Sequence, residues 1–373
     1  MKLDDLFNRL GKTVFIAFIS LLLLTISLLL IELIARQYYR TTHDQPSPKS
    51  DLAYSYFDWS EEHKENIKKI DKSLLYTPYH LWRFPQADLS TISIGQDGFR
   101  TTANPAKKYY KKKISLFVFG GSTAFGLSSP DELNIPSQLS KQLNDKYPDI
   151  FFEISNFSGV GYLSDQEIII LVDLLKKNRI PDIAIFYDGV NDTLNKVIRE
   201  APHMNYNNFV DVSKRPSTVS FLWTRHATKS YVLKLINESK PNSKKNKERL
   251  RKNIVKMHRE YKRNVEFVKS LAKQYGFRPY FYWQPDLIST NKTLSTEERS
   301  NLELPERLNM IGGFKLTARY FQEHPLKYPF INITDAFNGI EESIFIDYCH
   351  VNAIGHRAIA QKMADEISKG HLE

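Results

Sequence analysis

Three side chains in this sequence have the chemistry to form an activated nucleophile. Ser122 follows an apolar run in "LFVFGGSTAFG", while Asp347 and His350 stand three positions apart near the other end of the chain. A serine hydroxyl is a poor nucleophile unless an imidazole takes its proton, and the imidazole works best when a carboxylate orients it. The pattern indicates acyl transfer, with Ser122 as nucleophile, His350 as base and Asp347 as the orienting acid.

Each member of this set has a simpler explanation when it is taken alone. A lone serine after a strand more often caps the following helix, and Asp-x-x-His is a common surface pattern. A phosphate-binding loop is a further alternative for the glycine-rich segment around Ser122. That segment, however, lacks the Lys-Ser/Thr pair of a P-loop and the G-x-G-x-x-G spacing of a dinucleotide fold. Catalysis is favoured by the combination, not by any single residue.

Two further residues could stabilise a developing oxyanion, which requires fixed hydrogen-bond donors. Gly161 in "SGVGY" can bring its backbone N–H close to a substrate because it has no side chain. Asn191 in "GVND" offers a side-chain amide. The alternatives are a tight turn at Gly161 and a helix cap formed by Asn191 with Asp192.

The elements that would position these residues alternate between strand and helix from about Lys113 onward. Strands are predicted over 114–119, 151–156, 182–188 and 278–284, with a weaker one over 330–333. Helical patterns cover 132–147, 165–178, about 251–275 and 353–368. This order predicts an α/β fold with a mainly parallel sheet covered on both faces. Ligands bind at the carboxyl ends of such strands, which is where all the candidate residues fall.

The amino-terminal region differs from the rest of the chain. Residues 13–31 form an uncharged run of nineteen residues dominated by Leu, Ile and Phe, long enough as a helix to cross roughly 30 Å of hydrocarbon. We predict a transmembrane helix over 13–35, preceded by a short segment over 1–12. Residues directly after the run do not resemble a cleavage site, which favours a retained anchor. Basic residues flank it almost equally, so the positive-inside rule does not orient it.

Charge and cysteine content place further bounds on function. The formal net charge is +10, and eleven Lys or Arg stand against two Glu over residues 240–263. We interpret that segment as a solvated loop and helix face and predict no nucleic-acid partner; contact with anionic lipid head groups is an alternative.

The single cysteine, Cys349, excludes an internal disulfide. Together with His350 and His356 it fits no common zinc spacing, so no metal is predicted.

The ordered blocks "GGST", "NFSGVG", "GVND" and "DYCH" resemble those of the SGNH (GDSL-type) hydrolases. The resemblance covers roughly residues 113–370, and "GQDGFR" and "WQPD" are similar to features of membrane-anchored bacterial members. It implies a flavodoxin-like three-layer α/β/α domain over 113–370, with a linker and extension over 36–112. It also implies serine esterase or acyltransferase chemistry without a cofactor. In that mechanism Ser122, Asp347 and His350 are catalytic, and the donors of Ser122, Gly161 and Asn191 form the oxyanion hole.

The sequence also suggests a substrate and a location. Because surface glycans are modified at membranes, we expect an acylated small molecule or glycan as substrate, with a small acyl group such as acetyl on a carbohydrate. A single-pass membrane protein with an extracytoplasmic catalytic domain, periplasmic or on the cell surface, is expected by analogy. A lipid-directed esterase and a non-catalytic glycan-binding or assembly subunit remain alternatives. The sequence favours neither hydrolysis nor acyl transfer, and it indicates no oligomeric state.

Overall fold

The computed structural model describes residues 3–43, 54, 56–71, 74–200, 231–232, 244–303 and 305–370. Two compact units make up the chain. The first comprises Met1–Pro46 with Arg215–Ser243, and the second comprises Ser47–Lys214 with Lys244–Glu373.

The first unit contains the long helix α1, Leu3–His43. Its stretch Lys12–Tyr39 has a mean hydropathy of 3.0 over its most apolar part and is 28 residues long, so it is apolar and long enough to cross a membrane. The predicted span over 13–35 lies within this helix. Glu32, near its end, accepts a hydrogen bond from the backbone N–H of Tyr231 at 2.5 Å.

The second unit begins with an extension that precedes the main sheet. It consists of helix α2 (Ser60–Asp71) and two short antiparallel hairpins, formed by β1 (Leu75–Thr77) with β2 (Leu81–Arg83) and by β3 (Ala87–Leu89) with β4 (Ile92–Ile94). A tight turn at Asp97-Gly98 follows β4, where Gly98 has φ +77° and an antiparallel bridge pairs Ile94 with Arg100.

A five-stranded parallel sheet forms the centre of this unit. Its strands are β5 (Lys112–Gly120), β6 (Ile150–Asn156), β7 (Ile183–Asp188), β8 (Arg278–Trp283) and β9 (Phe330–Asn332), in the order β6-β5-β7-β8-β9. This is the flavodoxin-like order. Strand β7 is buried along its whole length, as expected for a parallel strand covered on both faces. The predicted fold class is confirmed.

Helices cover both faces of the sheet and complete three layers. One face carries α5 (Ser164–Lys176), α7 (Lys244–Tyr275) and α9 (Pro305–Glu323), packed on a stack of Phe119, Phe186 and Phe281. The other face carries α4 (Ile135–Lys146) and α10 (Ala353–Lys369). Two helices that the sequence did not predict, α8 (Thr296–Leu302) and α9, follow strand β8. The short helices α3 (Ser122–Phe125) and α6 (Val190–Asp192) follow strands β5 and β7 directly, and a π-helical turn, Thr193–Ile198, extends α6.

Helix α7 accounts for most of the basic segment. Its apolar side, with Leu250, Ile254, Met257 and Tyr261, is buried against the sheet, while the basic residues of its opposite side are exposed. The interpretation of this segment as a solvated helix face is confirmed for residues 246–263. Residues 240–243 lie outside the described part of the chain.

The segment before β5 covers the free edge of β6. The side-chain amide of Asn104 pairs with both the N–H and the C=O of Ile154 at 2.9 Å, as a neighbouring strand would. Lys107 donates to backbone carbonyls, including that of Ile150 at 2.7 Å. These contacts satisfy backbone groups that an edge strand otherwise leaves unpaired.

Candidate active site

Ser122 lies where strand β5 ends at the carboxyl edge of the sheet. It is the first residue of α3, whose N-cap is Gly121, and no side chain caps this helix. The Ser122 hydroxyl instead forms a hydrogen bond with His350 Nε2, at 2.7 Å. The helix-cap alternative is therefore wrong for Ser122, and the structure joins it to a histidine 228 positions away.

Asp347 and His350 occupy a tight turn before α10. One carboxylate oxygen of Asp347 accepts the backbone N–H groups of Cys349 at 2.8 Å and His350 at 2.7 Å. The other lies 2.7 Å from His350 Nδ1. Because the carboxylate is held by backbone donors, it favours the neutral tautomer with the proton on Nδ1, which leaves Nε2 free to accept the serine proton.

Charge interactions within this pair are strong. Burial by itself lowers the pKa of His350, but the negative charge of Asp347 and the hydrogen bond to it outweigh burial, so the pKa of His350 lies well above its usual value. Burial by itself raises the pKa of Asp347. The charge of His350 and the hydrogen bonds from His350 and Cys349 outweigh that effect and hold the pKa of Asp347 below its usual range. The carboxylate therefore stays ionised beside the imidazole.

The turn with His350 is anchored by a buried ion pair. Glu298 on α8 accepts the backbone N–H groups of Ile344 at 2.8 Å and Phe345 at 3.0 Å. Its carboxylate also lies 2.8 Å from Lys292 Nζ, and both side chains are fully buried. A helix absent from the sequence prediction thus fixes the segment that leads to the candidate base.

We expect Glu298→Ala to lower the free energy of unfolding by about 3–5 kcal/mol, because it leaves Lys292 buried without its counter-charge. Urea denaturation followed by circular dichroism measures this. The matched control is Glu323→Ala, which removes an exposed pair with Arg319 and should leave the free energy of unfolding almost unchanged. Equal effects of the two substitutions would contradict the anchoring role.

Asn191 lies against Gly121, the residue before Ser122, and bonds the residue that follows Gly161. The Asn191 amide donates to the carbonyl of Tyr162 at 2.8 Å, and its second hydrogen is available to another acceptor. Gly161 precedes Tyr162 and has φ +76°, in the left-handed region that favours glycine. The N-cap of α6 is Gly189, without a side-chain cap. Asn191 therefore does not have the capping role considered from the sequence.

Sequence reasoning missed Gly121 and Arg100. A methyl group at Gly121 would lie 2.3 Å from the amide nitrogen of Asn191, so only glycine leaves room for that amide. Its signal in the sequence is the second glycine of "GGST".

The buried Arg100 guanidinium pairs with Asp131 at 2.6 Å and donates to the carbonyls of Phe125, Gly126, Ser129 and Thr91. It thereby holds the loop that follows the serine helix.

Three residues of this site, Asp347, Cys349 and His350, have side chains of the kinds that bind metals, and they lie close together. Ligand atoms of Asp347, Cys349 and His350 lie within 4.8 Å of one another, the one group of this kind among the described residues. Cys349 is buried with its sulfur 3.6 Å from His350 Nδ1, and burial raises the pKa of its thiol. His356 lies apart on α10, with Nδ1 3.3 Å from the carbonyl of Leu133.

Comparisons with known proteins give structural matches only. No family model and no curated protein matches the chain. The acetyl xylan esterase AlAXEase is 14% identical over 68% of this chain and 100% of its own, with a TM-score of 0.36. Axe2, an acetylxylan esterase from Geobacillus stearothermophilus, is 14% identical over 70% and 96%, with a TM-score of 0.35. A protein from Desulfitobacterium hafniense DCB-2 assigned to the lipolytic G-D-S-L family is 11% identical over 68% and 98%, with a TM-score of 0.32. Function is accordingly inferred from the geometry of the site.

Proposed function

We propose that this protein is a serine esterase or acyltransferase that acts through an acyl-enzyme. The observation that carries the proposal is the continuous hydrogen-bonded series from Ser122 Oγ through His350 to Asp347, with both links at 2.7 Å. Such an arrangement removes the serine proton as the hydroxyl attacks and stabilises the imidazolium that forms. A serine that only capped a helix would not need the hydrogen bond to His350, and an Asp-x-x-His pair that only lay on the surface would need neither hydrogen bond.

We propose that these groups act in the following order. Ser122 Oγ attacks the ester carbonyl while its proton passes to His350 Nε2. The oxyanion receives hydrogen bonds from the Asn191 amide and from the backbone N–H groups of Gly161 and Ser122, the last of which has no acceptor within its helix. His350 then protonates the departing alcohol, leaving an acyl-serine. Water or a sugar hydroxyl attacks this ester, gives its proton to His350, and the proton returns to Ser122 as the acyl bond breaks.

We propose a small acyl group, acetyl above all, on a carbohydrate as the substrate. The limited exposure of Ser122, 9% of its surface, is compatible with a small acyl group. Helix α1 supports a retained membrane anchor, and the proposed catalytic domain lies on the extracytoplasmic side, where surface glycans are modified. An acyl-glycan substrate and the membrane are thus the proposed partners.

The test uses the full chain purified in detergent, with an acetylated polysaccharide and a soluble acetyl ester as donor. Released acetate indicates an esterase, and acetate incorporated into the polysaccharide indicates a transferase. Activity that rises with acyl chain length across a series of esters would instead favour a lipid-directed enzyme. No turnover of any ester by the wild-type protein would overturn the proposal in favour of a binding or assembly subunit.

Asn191→Ala should lower kcat roughly a hundredfold to a thousandfold, because it removes one donor to the oxyanion. KM should change little, since the donor acts mainly in the transition state. Steady-state kinetics with a soluble acetyl ester measures both constants. A loss in kcat below a few-fold would show that the amide serves only its hydrogen bond to Tyr162.

A further inference from the structure

A buried carboxylate follows one of the two proposed oxyanion donors directly in the chain. Asp192 follows Asn191 and is 1% exposed. One of its oxygens accepts the hydroxyl of Ser164 at 2.8 Å and the other accepts the backbone N–H of Ser164 at 3.2 Å. Asp192 does not face the reacting atoms in these contacts, so the proposed reaction leaves it without a role.

These contacts join two separate segments of the site. Ser164 is the first residue of α5 and lies three residues after Gly161, which is in the loop between β6 and α5, whereas Asn191 and Asp192 follow β7. The amide of Asn191 also reaches this loop, through the carbonyl of Tyr162 at 2.8 Å. Three hydrogen bonds therefore fix the segment that carries the Asn191 amide relative to the segment that carries the Gly161 N–H.

Charged side chains hold these three hydrogen bonds, here called the clamp, in place. Lys196, 3% exposed at its side chain, lies 2.9 Å from Asp192 and 2.6 Å from Asp165. The π-helical turn places Lys196 four residues after Asp192, so one cation bridges both carboxylates. Asn264 on α7 donates to Asp165 at 2.8 Å and to the Ser164 hydroxyl at 3.2 Å. Charged partners of this kind make stronger and more directional hydrogen bonds than neutral ones.

We propose that Asp192, acting through Ser164, is a positioning residue that sets the distance between the Gly161 N–H and the Asn191 amide. The inference rests on the proposed function, since it assigns those two donors to an oxyanion. A displacement of about 1 Å in a catalytic group can lower a rate by about a hundredfold. The clamp therefore acts on kcat and leaves substrate binding almost unchanged.

The structure offers a matched control at the opposite end of the sheet. There Asp182, just before β7, accepts both the N–H of Ser115 in β5 at 2.7 Å and its hydroxyl at 3.0 Å, so that an aspartate again accepts both donors of a serine. The test compares Ser164→Ala and Asp192→Asn with Ser115→Ala in the full chain, using a soluble acetyl ester. We expect kcat to fall about tenfold for Ser164→Ala and thirtyfold or more for Asp192→Asn, with KM within about threefold. Ser115→Ala should retain wild-type kcat.

A double-mutant cycle separates positioning from general support of the fold. In an Asn191→Ala background, Ser164→Ala should lower kcat by less than about threefold, because the donor it positions is already gone. The same tenfold loss in both backgrounds would overturn the proposal. So would a loss that appears only in KM, or an equal loss in Ser115→Ala. An inactive wild-type protein would refute the proposed function itself, and the two failures are thus distinct.

Discussion

Ser122→Ala abolishes labelling by a fluorophosphonate probe and lowers ester turnover by about four orders of magnitude or more, if the proposed mechanism holds. The probe bonds only to a serine whose proton is removed during attack, and His350 Nε2 lies 2.7 Å from this hydroxyl. Alanine leaves the oxyanion donors in place but removes the atom that forms the acyl bond. In-gel fluorescence and the release of p-nitrophenol from its acetate ester measure the two effects.

The matched control is Ser129→Ala. Ser129 is fully buried a few residues away, and its hydroxyl has no hydrogen-bond partner among the described residues. Its carbonyl, which accepts Arg100, is unaffected by the substitution. This variant should keep labelling and turnover within a few-fold of wild type. Labelling that persists in Ser122→Ala would refute Ser122 as the nucleophile.

Asp347→Asn should lower kcat/KM by roughly three to four orders of magnitude. An asparagine amide can donate to His350 Nδ1 and so favours the tautomer that carries its proton on Nε2, which cannot accept the serine proton. The pH dependence should change as well. His350 acts as a base only when neutral, so kcat/KM falls as pH drops through the pKa of His350. In the wild type the charge of Asp347 raises that pKa, and activity therefore declines early on the acid side.

Without that charge the pKa of His350 should fall, and the acid limb of the residual activity should move to lower pH. Profiles of kcat/KM against pH for both proteins give the comparison, and urea denaturation of both shows that the fold is intact. An acid limb at an unchanged pH would mean that His350 is not the titrating base. A limb that moves to higher pH would contradict the described charge interaction between Asp347 and His350.

The strands of the sheet were predictable because each is a short apolar run with a clear end. Strand β7 was predicted over 182–188 and is observed over Ile183–Asp188. Burial on both faces imposes that composition whatever surrounds the sheet. Helices α8 and α9 were not predicted. Their side chains are fixed by distant contacts, such as that of Glu298 with Ile344 and Phe345, and a local pattern does not record such contacts.

In the candidate site, too, the features that a local sequence pattern records were predictable, and those that depend on distant contacts were not. Parallel topology brings the ends of strands to one edge, so Ser122, Gly161 and Asn191 could be grouped from the sequence alone. The alternatives for each could not be decided locally, because whether Ser122 caps a helix depends on where His350 lies. A local pattern does not show the importance of Gly121, because that importance comes from the absence of a side chain beside Asn191. Arg100 is marked only by "GQDGFR", and its acceptors other than Asp131 are backbone carbonyls, which every residue possesses.

The extension before the sheet determines where this chain can be divided. Arg100 and His63, with its ring 3.3 Å from the carbonyl of Leu127, hold the loop after the serine helix from outside the α/β layers. Phe125 of that helix packs with Ile92 and Phe84 of the extension. A truncated chain that started at Lys112 would uncover this apolar surface and free the loop that follows the Ser122 helix. The smallest fragment able to catalyse the proposed reaction therefore has to start ahead of Ser60, well upstream of the sheet that gives the fold its class.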